Sequence, residues 1–187
     1  MDAFHTFDDH SVLLYGSDDR QLVAHVSTWL GAHLARQQPV LVVVTPRHLS
    51  ALTKALRHAG LDVGALCRGG LFVSLDAAEI MRSVLENDGL SWTVFDRRFG
   101  DLVRELRTRG PLRVYGEAAG MLWKGGKREV SLELEEHWNR LRKQLDFELL
   151  CSYGIHVFGS EFATGAAAGV IRAHSAVVPL PSGDSSH

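Results

Sequence analysis

The side chains of this chain that could do chemistry stand just beyond short apolar runs. Tyr15 ends the run 11–15 and Asp18 and Asp19 follow it, Thr45 and His48 follow 40–44, Glu117 follows 112–115, and Tyr153 follows 147–151. A carboxylate at such a position is partly desolvated, which suits it to hydrogen-bond a ligand or a neighbouring loop. Each group also has a plain structural reading. Asp18 and Asp19 fit an N-cap and a first-turn acid that complement the dipole of a following helix, and Glu117 fits the same role. Tyr15 could equally be packed with its hydroxyl satisfied. Trp123, one or two turns beyond Glu117, could line an apolar pocket, although aromatic residues at helical spacing, Trp138 among them, are more often core. The candidate ligand-binding set is therefore Tyr15, Asp18, Asp19, Thr45, His48, Glu117, Trp123 and Tyr153.

Other chemistries lack their parts. A phosphate cradle needs glycine amides with a lysine and a hydroxyl in a GxxxxGK(S/T) arrangement. The first turn, residues 16–20 (Gly-Ser-Asp-Asp-Arg), is too short and puts two carboxylates where phosphate would sit. Residues 125–127 (Gly-Gly-Lys) follow a helical stretch and have the wrong spacing. Glu133 and His137 stand four apart, a spacing that can hold a metal, yet a solvated helix face explains it as well. No HExxH, Cys/His cluster or GxSxG occurs, so neither a metal, a cofactor nor a catalytic residue is expected.

The elements that must position these groups alternate. Apolar runs at 11–15, 40–44, 71–75, 112–115 and 147–151 predict five strands. Leu22, Val26, Leu30 and Leu34 carry the spacing of a first helix; Thr45 and Pro46 cap and open a second, which Gly60 stops. Asp76 and Glu79 open a third, a helix over 91–109 ends at Gly110 and Pro111, and further helices follow Glu117 and span 128–145. A glycine-weakened helix over 163–172 and an edge strand at 177–178 complete the reading. Strands alternating with helices predict an α/β fold of three layers, a mostly parallel sheet with helices on both faces. Ligands of such sheets bind beyond the carboxyl ends of the strands, the edge that carries the candidate residues.

The 187 residues fit one domain, expected over 1–180 with a polar, disordered tail at 181–187. Twenty Lys and Arg against 22 Asp and Glu leave a charge of −2, too little basic field for direct nucleic-acid binding. Cys67 and Cys151 lie far apart, and Cys151 in its apolar run reads as a buried thiol, which suits a cytoplasmic location. No apolar segment is long enough for a membrane span.

Taken together, His10 and the stretches 14–19 (Leu-Tyr-Gly-Ser-Asp-Asp), 40–48 (Val-Leu-Val-Val-Val-Thr-Pro-Arg-His), 75–77 (Leu-Asp-Ala), 114–117 (Val-Tyr-Gly-Glu), 134–139 (Leu-Glu-Glu-His-Trp-Asn), 149–153 (Leu-Leu-Cys-Ser-Tyr) and 173–175 (Ala-His-Ser) resemble the MEDS family, a sensory domain named for methanogens, methylotrophs and a dichloromethane-responsive repressor. The resemblance implies a RecA/KaiC-like fold that has lost its nucleotide-binding loop and senses small organic compounds such as hydrocarbon derivatives. It also implies a protein partner: a kinase, an anti-sigma-type module or a transcriptional regulator. The chain departs from the pattern at Gly154, where relatives often carry proline, and at Gln37 and Gln38, where glycine is common.

Three functions compete at this stage. A non-enzymatic sensor of a small organic ligand combines a ligand-ready edge with missing catalytic parts. An interaction module, including a homo-oligomer, would use the charged helix 128–145 with Trp138 as its face. A vestigial ATPase would use Glu117 as its activating carboxylate, without phosphate contacts to support it.

Overall fold

The structure, a computed structural model, describes residues 10–16, 18–86, 89–154 and 168–180. Its centre is a six-stranded parallel sheet of β1 (His10–Tyr15), β2 (Val40–Val44), β3 (Phe72–Asp76), β6 (Arg113–Gly116), β7 (Glu148–Gly154) and β8 (Ala176–Pro179), in the order β3-β2-β6-β7-β1-β8. A short antiparallel pair, β4 (Leu85–Glu86) and β5 (Gly89–Leu90), stands apart from it.

The two-residue period of the strands divides the core. Leu13, Val40, Val42, Val44, Tyr115 and Leu150 face one side and pack under α1 (Asp19–Leu34), α2 (Pro46–His58) and α3 (Val63–Arg68). Val12, Leu14, Leu41, Val43, Val114, Leu149 and Cys151 face the other, under α4 (Ala77–Val84), α5 (Trp92–Phe95), α6 (Asp101–Arg107), α7 (Ala118–Lys124) and α8 (Arg128–Leu145). A strand buried on both faces reads as a continuous apolar run, and every residue of β2 is buried. The fold is thus the expected three-layer α/β arrangement.

Local signals act where the spacing places them. Asp76 accepts from the backbone N–H groups of Ala78 and Glu79 at 2.8 and 3.0 Å, capping α4. The stretch expected as one helix over 91–109 is helical but carries a π-helical segment, Asp96–Gly100, between α5 and α6. α8 ends at Asp146, whose φ of 48° is left-handed. The short helix α3 and the β4–β5 pair have no counterpart in the periodicity. Of the weak helix expected over 163–172, α9 (Ala168–Ala173) is described, and the first part lies outside the described residues, as does the tail 181–187. β8 takes its expected place at the sheet edge beside β1.

Two readings of α8 are corrected. Glu133 and His137 are not a solvated pair: Glu133 accepts from the N–H of Leu90 at 3.1 Å and His137 Nε2 donates to the Leu90 carbonyl at 3.0 Å, so together they clamp β5 onto the helix. Trp138 is 3% exposed and packs on Phe95, Phe99 and Phe147, which removes it from any outward face. Among the described residues no helix is long and apolar enough to cross a membrane.

Candidate functional site

Beyond the carboxyl ends of β1, β2, β6 and β7 the chain leaves a cleft of about 320 Å³, lined by Tyr15, Asp19, Thr45, Arg47, His48, Glu117, Met121, Lys124 and Ser152 with Gly16, Gly120 and Gly154. Asp19, Thr45, Arg47, His48 and Glu117 come from helix starts, Tyr15 and Ser152 from strands, and Lys124 from the end of α7. Thr45 caps α2 and its hydroxyl accepts from the N–H of His48 at 3.4 Å; Pro46 supplies the fixed φ of the first turn. Asp18 caps α1, which aims the next residue, Asp19, into the cleft.

Glu117 holds the site together. It stands at the N-cap of α7 yet makes no capping bond to its own helix. Its backbone N–H donates to the Val43 carbonyl at 3.1 Å. Its buried carboxylate instead crosses to α2, accepting from the Thr45 N–H through Oε1 and from His48 Nδ1 through Oε2. The other ring nitrogen of His48 donates to Asp19 Oδ2 at 3.1 Å, and Arg47 reaches the same oxygen at 2.7 Å. Carboxylates only accept, so an imidazole bonded to one at each nitrogen carries both protons and is a cation. The bond to Glu117 accordingly raises the His48 pKa, against burial and with help from Asp19. Burial, then Glu117 and Asp19, push the Tyr15 hydroxyl up to about 12, so it stays a donor at neutral pH. The result is a carboxylate–imidazolium–carboxylate chain from the start of α7 through α2 to α1, with Arg47 and Lys124 at the mouth.

A family model described as MEthanogen/methylotroph, DcmR Sensory domain matches residues 9–174, which take in this cleft and all of the sheet except β8. The chain belongs to the MEDS family. Comparison with curated proteins finds no match.

Of the candidate residues, Tyr15, Asp19, Thr45, His48 and Glu117 line the cleft of this MEDS domain. Three do not. Asp18 turns outward, capping α1 and pairing with Arg20 at 2.6 Å, which holds its carboxyl at about 2. Trp123 is buried edge-on against Tyr153. Tyr153 misses the cleft because β7 is longer than the apolar run 147–151: Ser152, Tyr153 and Gly154 continue the ladder opposite Leu13, Leu14 and Tyr15. Strand alternation then puts Ser152 at the cleft and Tyr153 on the opposite face. Arg47, Met121 and Lys124 were missed. Arg47 had a signal, since it sits between Pro46 and His48 in the first turn of α2; Met121 and Lys124 had none beyond lying one and two turns into α7.

Tyr153 belongs to a second polar group in the MEDS core. Its hydroxyl donates to Glu135 Oε1 at 2.7 Å, and around that fully buried carboxylate stand His10, Cys151 and His174. The absence of a sequence-local Cys/His motif concealed it, because these residues come from four separate segments. The signal lay in three of the stretches that carry the family likeness and in the leading His10.

Proposed function

We propose that this chain is a non-enzymatic sensory domain that binds a small organic molecule in the cleft and passes its occupancy to a separate regulatory protein. The observation that carries the reading is the Glu117–His48–Asp19 chain at the mouth of a cleft formed by four strand ends. It ties three elements through one imidazole, so a ligand that competes for any of these groups alters the seating of α1, α2 and α7 together. The volume lies at the small end of the range of about 300–1,000 Å³ typical of ligand pockets, which favours a compact molecule such as a hydrocarbon derivative bearing a polar group. Arg47, Lys124 and the Tyr15 hydroxyl suit an oxygen-bearing end, and Met121 an apolar one. Asp19, directed into the cleft, opposes a polyphosphate and supports a binding role over ATP hydrolysis.

The test is a thermal-shift screen of small alcohols, acids, aldehydes and halogenated hydrocarbons, with titration calorimetry on hits. A saturable one-to-one ligand whose affinity falls at least tenfold in Glu117→Gln supports the reading. No saturable ligand, affinity unchanged by Glu117→Gln, or magnesium-dependent ATP turnover lost in Glu117→Gln would overturn it.

A further inference from the structure

The second polar group has the donor set and spacing of a metal centre. His10 on β1, Glu135 on α8, Cys151 on β7 and His174 just after α9 bring their ligand atoms within 4.8 Å of one another. We propose that these four residues bind one divalent transition cation of the zinc class, a site distinct from the cleft and independent of what the cleft binds.

Three of the ligand-to-ligand distances match edges of a coordination tetrahedron, and His174 Nε2 stands within 4.8 Å of the other ligand atoms. His10 Nε2 lies 3.5 Å from Cys151 Sγ and 3.4 Å from Glu135 Oε2; Cys151 Sγ lies 3.3 Å from Glu135 Oε2; His174 Nε2 lies 3.5 Å from Glu135 Oε1. Tetrahedral zinc, with bonds of about 2.0–2.1 Å to nitrogen, about 2.0–2.2 Å to oxygen and about 2.3 Å to sulfur, has ligand-to-ligand edges of roughly 3.3–3.6 Å.

The surrounding hydrogen bonds aim the lone pairs inward. His10 Nδ1 is 2.8 Å from Asn139 Oδ1, and the Asn139 amide is oriented by donating to the Ala173 carbonyl at 2.8 Å. His10 Nδ1 therefore donates to the amide oxygen, and Nε2 is the nitrogen that faces the cluster. His174 Nδ1 donates to the Val170 carbonyl at 2.7 Å, and its buried Nε2 has no hydrogen-bond partner among the described residues. A histidine that donates its outer N–H to a carbonyl or amide oxygen while presenting the inner nitrogen is the usual support of a metal ligand. Tyr153 occupies Glu135 Oε1, leaving Oε2 for the cation.

Charge points the same way. Glu135 is fully buried, and a buried carboxylate needs compensation. A divalent cation with one carboxylate, one thiolate and two neutral imidazoles sums to zero. On binding, the Cys151 S–H proton that now points to Glu135 leaves to solvent and the sulfur takes up the metal. One thiolate with two imidazoles and an oxygen in a tetrahedron selects zinc, and cobalt(II) as its substitute, over magnesium or calcium. Four protein donors in a buried site make a closed centre that joins β1, α8, β7 and the chain after α9.

The experiment is elemental analysis of the full chain purified without chelator, followed by addition of cobalt(II) alone to chelator-stripped protein. Expected are about one zinc per chain, a lower melting temperature after stripping, and tetrahedral cobalt absorption with a thiolate charge-transfer band. That band disappears in Cys151→Ser and persists in Cys67→Ser, whose thiol is exposed. Asn139→Ala keeps the spectrum and weakens cobalt binding by about 10–100-fold. Circular dichroism confirms that each variant folds; should Cys151→Ser not fold, the wild-type spectrum and the Asn139→Ala affinity decide. Folded protein that takes up no stoichiometric zinc or cobalt, a spectrum without the thiolate band, a band that survives Cys151→Ser, or one lost in Cys67→Ser would each overturn the proposal.

Discussion

His48 is the residue through which the cleft senses protons. Its folded pKa stands above the ordinary 6.5, first because of the bond to Glu117 and then because of Asp19. A group raised on folding contributes stability that is fully present below its unfolded pKa and is lost as pH rises through the folded value. Melting temperatures followed upward from pH 6.5 should therefore fall, and His48→Gln should flatten that fall while lowering stability at pH 6 by about 1–3 kcal/mol, the cost of an unmet buried acceptor. A wild-type profile that rises over this window, or one that His48→Gln leaves unchanged, would contradict the assignment. The residues of this chain were legible in the sequence to different depths. Those at helix starts, Asp19, Thr45, His48 and Glu117, could be found because capping signals sit at strand ends. The partner of Glu117 could not, because the bond spans 72 positions and no local pattern encodes it. His10, Cys151 and His174, gathered around Glu135, were hidden for the same reason.

At the scale of elements, one loop holds a backbone conformation that suits glycine better than the residue it carries. Gln37, in the loop before β2, has a φ of 57°, where a side chain is costly and glycine is not. Glycine meets that demand directly, so Gln37→Gly should stabilise the chain by about 0.5–1 kcal/mol in chemical denaturation, and a loss of stability would show that the loop does not need this conformation. Gly120 in α7 makes the opposite point. A Cβ there would stand 2.6 Å from the Ser152 carbonyl oxygen of β7, a backbone atom with little freedom to yield. Gly120→Ala should cost about 1–3 kcal/mol and pull α7, with Glu117 at its start, away from the cleft; an unchanged midpoint would mean the helix can shift without cost. The alternation of elements was readable because apolar runs and caps are local. The end of β7 was not, since Ser152 and Tyr153 are not an apolar run and join the sheet only through their partners on β1.

Across the whole molecule, the sheet order sets a gradient of protection. Among the described residues, β2, β6, β7 and β1 each have a neighbour on both sides, whereas β3 and β8 have one. Hydrogen exchange should accordingly be slowest in the four inner strands and fastest at β8, whose Val177 is exposed; equal protection of β8 and β7 would contradict this order. The place of β1 has a further consequence. The first strand described is flanked by the last two, β7 and β8, and Ser175 closes on His10 through both its N–H and its hydroxyl. During synthesis β1 therefore emerges more than a hundred residues before either neighbour exists, an apolar segment with both edges open. The sheet can close only when the far part of the chain has left the ribosome, which makes this a late-completing fold and makes β1 the segment that a chaperone would have to shield in the interval.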